Sequence, residues 1–324
     1  MNPNHCNRDN GVVTTALLLA AGKGSRLYPL THNTPKCLTM VHGVSILERL
    51  VTNLNKQGFK RLVVVIGYQE KCIRAFLGTR AGGMKIDYIF SPLYATTNNI
   101  YSLWMAREII NEPFLLVESD LVFDVSLLDG MRYPDRIAVA CMQPWMDGST
   151  VTVNQSQHVK KFQNGIAGTF DEIRYKTVNI YSFSLSSWHS ITERLDQYIS
   201  AGRVNDYYEI VFAEMVADGS LSLEVVSFDG KPWYEIDTIG DLAEADKLFL
   251  ADNYETKIPS NITQHAVGMS KPFFQHANSI EGGTITRSLS GLRSLHKSNS
   301  LSLKRIREAN IKENKSIGVI HGTT

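Results

Sequence analysis

Three kinds of feature are scarce or absent in this sequence, and each absence excludes a class of protein. The four cysteines, Cys6, Cys37, Cys72 and Cys141, are far apart and form no CxxC pair, a pattern typical of reduced thiols in a cytoplasmic protein. The first apolar run, residues 12–21, is about half the length that spans a bilayer, and it lacks the basic flank of a signal peptide. Lys plus Arg number 33 and Asp plus Glu number 32, so no overall positive charge favours nucleic-acid binding.

The charge that cancels over the whole chain is unevenly distributed along it. Residues 259–324 contain nine Lys or Arg and three Asp or Glu, a net charge of +6, so residues 1–258 carry about −5 of the total of +1. The C-terminal segment is also rich in serine, and its only helical periodicity is a short amphipathic stretch at 301–311. We predict a folded domain over residues 1–258, long enough to bury a core. Residues 259–324 are predicted to be a basic, Ser-rich tail, or a linker to a further domain.

Apolar strands alternate with amphipathic helices through the first half of the sequence. The predicted strands are residues 14–20, 61–67, 86–90, 114–118 and 137–142, and the predicted helices are residues 46–54, 69–77 and 100–110. This alternation predicts an α/β fold, a Rossmann-like, mostly parallel sheet with helices on both faces. The second half predicts more mixed strands at 150–159, 175–183 and 222–228, with helices at 187–199, 207–217 and 239–250.

A glycine-rich segment follows the first predicted strand, and residues 18–38 read LLAAGKGSRLYPLTHNTPKCL. Gly22 and Gly24 allow backbone N–H groups to approach an anion closely, because no Cβ intervenes. Arg26 adds a bidentate phosphate donor, and Lys36 offers a second cation. The segment matches neither GxxxxGK[ST] nor GxGxxG, and a Gly-Lys-Gly turn alone is more often a simple connection.

Residues 19–38 resemble the signature LAAGxGxRLxPLTxxxPKxL of the nucleotidyltransferases that join a nucleoside triphosphate to a phosphorylated small molecule. The resemblance extends over roughly residues 13–255 and implies the nucleotide-diphospho-sugar transferase fold. It implies that Arg26 and Lys36 are catalytic and neutralise charge as the α-phosphate is attacked, a role consistent with the electrostatic demands of phosphoryl transfer. The loop residues that it implies contact the nucleotide are Ala20, Ala21, Gly22, Lys23, Gly24 and Ser25.

Two aspartates are candidate ligands of Mg²⁺. Asp120 follows the apolar strand 114–118, at the strand end where ligands gather in open α/β sheets, and Asp237 lies within WYEIDT. Mg²⁺ prefers one or two carboxylates together with phosphate oxygens and water. Each aspartate has an alternative role as a turn or helix cap. The family resemblance favours the metal role, and it places Ser119 beside the nucleotide.

The segment TTNNIYSLW, residues 96–104, resembles the cytidylyltransferases for phosphocholine and 2-aminoethylphosphonate more than the sugar-nucleotide enzymes. YEIDT and KTVNIY, later in the chain, resemble the same group. Amide side chains can recognise a pyrimidine edge through both donors and acceptors, so Thr97 and Asn98 are predicted to contact the nucleotide. An N-cap role for Asn98 is the alternative.

The acceptor requires cations near its anionic end and, for an ammonium group, aromatic faces or carboxylates. The residues predicted to bind it are Tyr101, Arg107, Lys176, Asn179, Glu209 and Glu235. Solvation at the surface is the alternative for the two cations, and core packing is the alternative for the aromatic residues.

Taken together, the residues and the resemblance predict that residues 1–258 are a nucleotidyltransferase catalytic domain with an Mg²⁺ cofactor. The predicted activity is a cytidylyltransferase that joins CMP from CTP to 2-aminoethylphosphonate, phosphocholine or a similar small molecule and releases pyrophosphate. One alternative is a hexose- or inositol-phosphate nucleotidyltransferase, and another is a non-catalytic nucleotide-sensing or assembly subunit. The expected partners are CTP and the acceptor, without nucleic acid or a transmembrane segment. The sequence leaves open whether the protein forms a homodimer.

Overall fold

The computed structural model of the protein describes residues 11–143, 146–164 and 173–249. The strands are β1 (Thr15–Ala20), β2 (Met40–Val41), β3 (Val44–Ser45), β4 (Arg61–Ile66), β5 (Arg80–Ala81), β6 (Met84–Phe90), β7 (Phe114–Glu118), β8 (Leu121–Phe123), β9 (Arg136–Cys141), β10 (Ser149–Val153), β11 (Val159–Asn164), β12 (Tyr175–Phe183), β13 (Glu224–Ser227) and β14 (Trp233–Glu235). The helices are α1 (Ile46–Lys56), α2 (Glu70–Leu77), α3 (Asn99–Met105), α4 (Leu185–Ser200), α5 (Tyr208–Ala217) and α6 (Ile239–Leu248).

One large sheet organises these elements, in the order β11-β10-β12-β7-β1-β4-β6-β5. The strand β1 pairs in parallel with β4 and β7, and β4 pairs in parallel with β6. The strand β12 runs antiparallel to β7 and to β9. Because β1 and β7 are parallel, their carboxyl ends meet at one edge of the sheet, and this edge carries both the glycine-rich loop and the Glu118-Ser119-Asp120 turn.

Hydrophobic clusters cover both faces of the sheet. Leu50 of α1 and Ile73 of α2 are buried in the cluster on one face. Leu103 of α3, Trp188 of α4 and Phe212 of α5 are buried in the cluster on the other. The predicted α/β fold with a mostly parallel sheet and helices on both faces is therefore confirmed. The antiparallel strands belong to the second half of the chain, where mixed strands are predicted.

Two predicted elements require correction. Residues 150–159 form two strands, β10 and β11, rather than one, because the Asn154 side chain accepts hydrogen bonds from the backbone N–H groups of Ser156 and His158 at 2.9 and 3.0 Å. This turn chemistry interrupts the extended chain. The helix predicted at 100–110 is shorter, because α3 ends at Met105 and continues only as a 3-10 turn over Ala106–Glu108.

The C-terminal segment predicted as a tail, residues 259–324, and the helix predicted within it at 301–311 lie outside the described residues. The domain boundary at residue 258 stays a prediction. None of the helices in the described part of the chain combines the length and the apolar character that a bilayer span requires.

Candidate active site

The glycine-rich loop leaves the carboxyl end of β1 and packs closely against Lys36. Gly24 has φ = +61°, in the left-handed region, and a Cβ at this position would lie 2.9 Å from the Lys36 Cβ. The Thr31 hydroxyl donates a hydrogen bond to the Gly24 carbonyl oxygen at 2.9 Å. Glycine is therefore required at residue 24 both by the backbone conformation and by the position of the lysine stem.

We expect Gly24→Ala to lower kcat/KM for nucleotidyl transfer by at least about 10-fold. The added methyl group would displace Lys36, the predicted catalytic cation, and a displacement of about 1 Å at such a group lowers the rate of reaction steeply. Gly43→Ala is the matched control. Gly43 also has a positive φ, +82°, but a Cβ there would meet nothing within 4 Å. Both variants should lose similar stability in thermal melts. Equal loss of activity in the two variants would show that the Gly24 contact with Lys36 is unimportant.

The Lys36 ammonium group lies between two carboxylates. Its Nζ donates hydrogen bonds to Asp120 Oδ2 and to Asp237 Oδ1, both at 2.7 Å. Burial lowers the pKa of Lys36, but the charges of Asp120 and Asp237 outweigh it and the pKa is raised overall. The lysine is therefore protonated throughout the physiological pH range. Arg26 donates to the same Asp237 Oδ1 at 2.7 Å, but its side chain is 66% exposed against 13% for Lys36.

A short ribbon brings the two aspartates together. The strand β14 pairs antiparallel with β8, with Glu235 opposite Leu121, and the Ile236 N–H donates to the Asp120 carbonyl oxygen at 2.9 Å. The α6 N-terminus then fixes the turn, since Asp241 Oδ2 accepts from the backbone N–H of Asp237 at 3.1 Å. Tertiary pairing thus brings together the two aspartates that the family resemblance singles out, although they lie far apart in the sequence.

Asp120 and Asp237 are the pair that the sequence predicts to bind Mg²⁺, and both carboxylates lie within hydrogen-bond distance of Lys36 Nζ. Asp120 Oδ1 is buried and has no hydrogen-bond partner, so it remains available to a cation. Within the described residues, no group of three or more His, Cys, Asp or Glu side chains is arranged to hold a metal. A hard divalent cation bound by Asp120 and Asp237 would therefore complete its coordination with phosphate and water oxygens, and the pair fits that requirement.

A cavity of about 350 Å³ opens between the glycine-rich loop and these carboxylates. It brings together most of the residues that the sequence predicts for the site. Those that line it are Ala21, Gly22, Gly24, Ser25, Arg26, Lys36, Thr97, Asn98, Ser119, Asp120, Asn179, Glu209, Glu235 and Asp237. The cavity therefore joins the predicted nucleotide loop, the predicted metal pair and part of the predicted acceptor set.

Five predicted residues do not line this cavity, and one of them, Lys176, lines an adjoining cavity. Ala20 is buried at the end of β1, and Lys23 is exposed on the loop. Tyr101 packs against Trp104, with ring centroids 5.3 Å apart. Arg107 lies 3.5 Å above the Trp104 ring and pairs with Asp196 at 3.5 Å. The α3 residues that line the cavity are Asn99 and Ser102, three positions apart and so on one helical face, and the structure does not bring Tyr101 or Arg107 there.

Asn98 has the N-cap role considered for it, and its predicted contact with the nucleotide stays a prediction. Its Oδ1 accepts a hydrogen bond from the Asn99 N–H at 2.8 Å as the N-cap of α3, and its Nδ2 donates to the Asn205 carbonyl oxygen at 3.3 Å. The side chain also lines the cavity. Thr97, its neighbour, donates its hydroxyl to the Leu93 carbonyl oxygen at 2.8 Å. The capping interaction fixes this segment at the cavity wall.

Lys176, Asn179 and Glu235 form a buried polar cluster at the β12 side. Lys176 Nζ lies 3.1 Å from Glu235 Oε2, and Asn179 Nδ2 donates to Glu235 Oε1 at 3.2 Å. Burial raises the pKa of Glu235 to about 7, although the Lys176 charge opposes the shift. Asn179 has φ = +58° at a register irregularity between Thr177 and Tyr181, and such a bulge redirects a side chain from the sheet face. Asn179 therefore reaches Glu235.

Lys176 lines a second cavity, of about 180 Å³, which shares Arg26, Glu235 and Asp237 with the first. Trp233 and Tyr234 contribute aromatic surface to it. Arg26, Glu235 and Asp237 thus line both cavities.

Sequence analysis assigned no role to Asn99 or Glu118, both of which line the cavity. Asn99 Nδ2 donates to Glu118 Oε1 at 3.3 Å, and Asn99 Oδ1 accepts from the Tyr208 N–H at 3.1 Å. Burial, followed by the charges of Asp120 and Glu209, raises the pKa of Glu118. The acidic triplet Glu118-Ser119-Asp120 is the sequence feature that could have identified Glu118 as a site residue. That Glu209 is its neighbour follows only from the packing of α5 against α3.

The sequence is similar to those of known nucleotidyl transferases. The family model for nucleotidyl transferases matches residues 15–134. The CMP-5'-(3-aminopropyl)phosphonate synthase of Streptomyces rubellomurinus is 30% identical over 259 residues, covering 77% of this chain and 41% of that protein. The choline-phosphate cytidylyltransferase of Streptococcus pneumoniae is 24% identical over 245 residues, covering 74% of this chain and 99% of that protein. The chain thus spans about two fifths of the length of the first relative.

A solved structure shares the fold. The CTP:phosphocholine cytidylyltransferase from Streptococcus pneumoniae superposes with a TM-score of 0.60 at 20% identity, covering 73% of this chain and 98% of that one. Similarity of fold agrees with the family model, whose match includes the glycine-rich loop, Lys36 and Asp120. Residues 15–134 of the chain therefore match the nucleotidyl transferase family.

Proposed function

We propose that the protein is a Mg²⁺-dependent cytidylyltransferase that transfers CMP from CTP to a small amine bearing a phosphonate or phosphate group, with release of pyrophosphate. The observation that carries the proposal is the placement of the Lys36 ammonium group between Asp120 and Asp237, directly against the glycine-rich loop. The likeness to enzymes named for a CMP-aminopropylphosphonate product and for choline phosphate supports the choice of nucleotide and acceptor.

The reaction requires no protein nucleophile. An oxygen of the acceptor phosphonate or phosphate attacks the α-phosphorus of CTP and forms a new P–O bond. The bond from the α-phosphorus to the oxygen that bridges the β-phosphate breaks, and its electron pair leaves with pyrophosphate. Catalysis then depends on positioning the two anions and on stabilising the charge that develops on the transferred group and the leaving group.

Lys36 and Arg26 supply the positive charge for this step. The Lys36 ammonium group contacts two carboxylates, and bound phosphates would compete with them for it. Asp120 and Asp237 would hold Mg²⁺, which supplies charge neutralisation to the phosphates when bound. Arg26 is exposed at the cavity rim, where a bidentate guanidinium can engage the leaving phosphates.

The two ends of the cavity supply different contacts. The backbone N–H groups around Gly22 and Gly24 suit the triphosphate, and the Thr97-Asn98 segment lies where an amide can contact a base or ribose. On the other side, Asn179 contacts Glu235, which also pairs with Lys176 of the adjoining cavity, and this cluster suits the acceptor. Arg107 is not proposed as an acceptor residue, because Trp104 and Asp196 engage it away from the cavity.

Pyrophosphate release from a panel of nucleotides and acceptors tests the proposal. The nucleotides are CTP, UTP, GTP and dTTP, each combined with 2-aminoethylphosphonate, phosphocholine, glucose 1-phosphate or inositol 1-phosphate. We expect the highest kcat/KM with CTP and an amine-bearing acceptor. Equal or greater activity with glucose 1-phosphate would replace the proposal with a hexose-phosphate enzyme. Nucleotide binding without turnover for any pair would indicate a nucleotide-sensing subunit.

A further inference from the structure

We infer that the larger cavity contains a binding site for a primary ammonium group. Glu209 is the principal carboxylate that accepts hydrogen bonds from this group, and Glu118 is its neighbour. The inference rests on the proposed function and specifies the acceptor substrate more closely. The preferred substrate would be a short-chain phosphonate or phosphate that ends in a primary amine, rather than one that ends in a quaternary ammonium group.

The first observation is the state of the Glu209 carboxylate. Glu209 lies in the first turn of α5, lines the cavity and is only 7% exposed. Its Oε2 atom is buried and has no hydrogen-bond partner. A buried carboxylate oxygen without a donor is costly to the folded protein. Its presence at the wall of a cavity indicates that a ligand supplies the missing donor.

The second observation is the local imbalance of charge. Glu118, Glu209 and Glu235 all line the cavity, and Glu235 is paired with Lys176 at 3.1 Å. Glu118 accepts from the neutral amide of Asn99. Across the ranges that the structure describes, neither Glu118 nor Glu209 forms an ion pair with a Lys, Arg or His side chain. The nearby carboxylates therefore favour a ligand that brings positive charge.

The chemistry of the donors selects a primary ammonium group. It has three N–H donors, enough for Glu209 Oε2 and a second carboxylate together. A quaternary ammonium group has no donor, so Glu209 Oε2 would stay unsatisfied, and binding would depend on aromatic faces. The tyrosines that line this cavity are Tyr94 and Tyr207, and Tyr207 is 58% exposed, so water weakens its contribution.

The position of the carboxylates limits the length of the ligand. Glu118 precedes Asp120 by two residues at the end of β7, and Glu235 precedes Asp237 by two residues at the end of β14. Glu118, Glu209, Asp120 and Asp237 line the same cavity, so an ammonium group at Glu209 and Glu118 lies close to the predicted metal pair. A short linker between the amine and the phosphorus therefore suits the acceptor.

The test compares the amine with isosteres that lack N–H donors or charge. The acceptors are 2-aminoethylphosphonate, 2-hydroxyethylphosphonate and the N,N,N-trimethyl form of the amine, each with CTP. In the wild type we expect the amine to be preferred over the alcohol by about 30-fold or more in kcat/KM, the scale of a lost charged hydrogen bond. Glu209→Gln should reduce this preference at least about 10-fold, mainly by raising the KM of the amine. The KM of CTP should stay within about two-fold of the wild-type value.

Glu214→Gln is the matched control, because Glu214 is on the same helix and pairs with Arg194 at the surface. It should keep the wild-type preference. Glu209→Gln should melt at the same temperature as the wild type or higher, since it removes an unsatisfied buried charge. If it fails to fold, Glu209→Asp, which keeps the charge on a shorter stem, should show a smaller loss of the preference. An unchanged preference in the folded Glu209 variant, or wild-type preference for the trimethyl form, would overturn the inference.

Direct binding separates this inference from the proposed function. Calorimetric titration of 2-aminoethylphosphonate into the wild type and Glu209→Gln needs no turnover. Binding that weakens at least about 10-fold in the variant supports the ammonium site even if no nucleotide reacts. Equal binding by both proteins overturns it even if the wild type is an active cytidylyltransferase.

Discussion

Lys36→Met is expected to lower kcat/KM for pyrophosphate release by about 10³-fold or more, the loss typical of a cation that stabilises a transferring phosphoryl group. Lys36 is the least exposed cation at the glycine-rich loop and lies against Gly24. Methionine preserves the length and apolar character of the stem, so the variant removes chiefly the charge. Steady-state pyrophosphate release with CTP and 2-aminoethylphosphonate measures the effect.

The same variant should bind divalent metal more tightly in the absence of nucleotide. Removing the ammonium group frees Asp120 Oδ2, which contacts it at 2.7 Å in the wild type, and leaves only Arg26 on Asp237 Oδ1, so the two carboxylates repel each other more strongly. Mn²⁺ should therefore raise the melting temperature of Lys36→Met more than that of the wild type. Lys71→Met, at an exposed position on α2, is the control and should match the wild type in both assays. Unchanged turnover in Lys36→Met would remove the lysine from the mechanism.

Asp120→Asn is expected to lower kcat by about 10²- to 10³-fold, a loss comparable to removal of one electrostatic contact to the transition state. The substitution keeps the shape of the side chain but removes half of the carboxylate pair. Mn²⁺ affinity should fall together with kcat, in contrast to the opposite changes expected for Lys36→Met. Electron paramagnetic resonance of free Mn²⁺ gives the affinity without any requirement for activity.

Asp129→Asn controls for the loss of one negative charge near the same strands, because Asp129 accepts from Gln57 at the surface and lines neither cavity. It should leave both kcat and Mn²⁺ affinity unchanged. If Asp120→Asn keeps wild-type Mn²⁺ affinity while losing activity, the aspartate acts by holding Lys36 rather than by binding metal. If both quantities persist, Asp120 has no part in the site.

The components that sequence patterns locate well are those that depend on local chemistry. A buried strand that ends in glycines predicts the loop, and an acidic triplet at the end of another parallel strand predicts that Asp120 lies at the same edge. The positions of β1 and β7 confirm both expectations. Whether these residues act on CTP and its acceptor stays a prediction that the proposed assays address.

The components that sequence patterns miss depend on tertiary pairing. The family resemblance predicts the pairing of Asp237 with Asp120, but local periodicity does not: the β8–β14 ribbon that joins them consists of two strands of three residues each. The orientation of α3 decides that Asn99 and Ser102 line the cavity while Arg107 contacts Trp104. The bulge at Asn179 redirects one side chain within an otherwise regular strand. Each outcome depends on contacts between segments that are distant in the sequence.

The Lys36–Asp237 ion pair joins residues that are 201 positions apart, whereas Lys36 and Asp120 are 84 apart. During synthesis, the glycine-rich loop, β4 and β7 therefore leave the ribosome long before the strand that carries Asp237. We expect the Lys36–Asp237 pair to form late, because contacts between residues this far apart carry the larger cost of loop closure. The nascent chain would then assemble its parallel strands before the cluster of Lys36, Asp120 and Asp237 is complete. The proposed chemistry would become possible only once the native topology is reached.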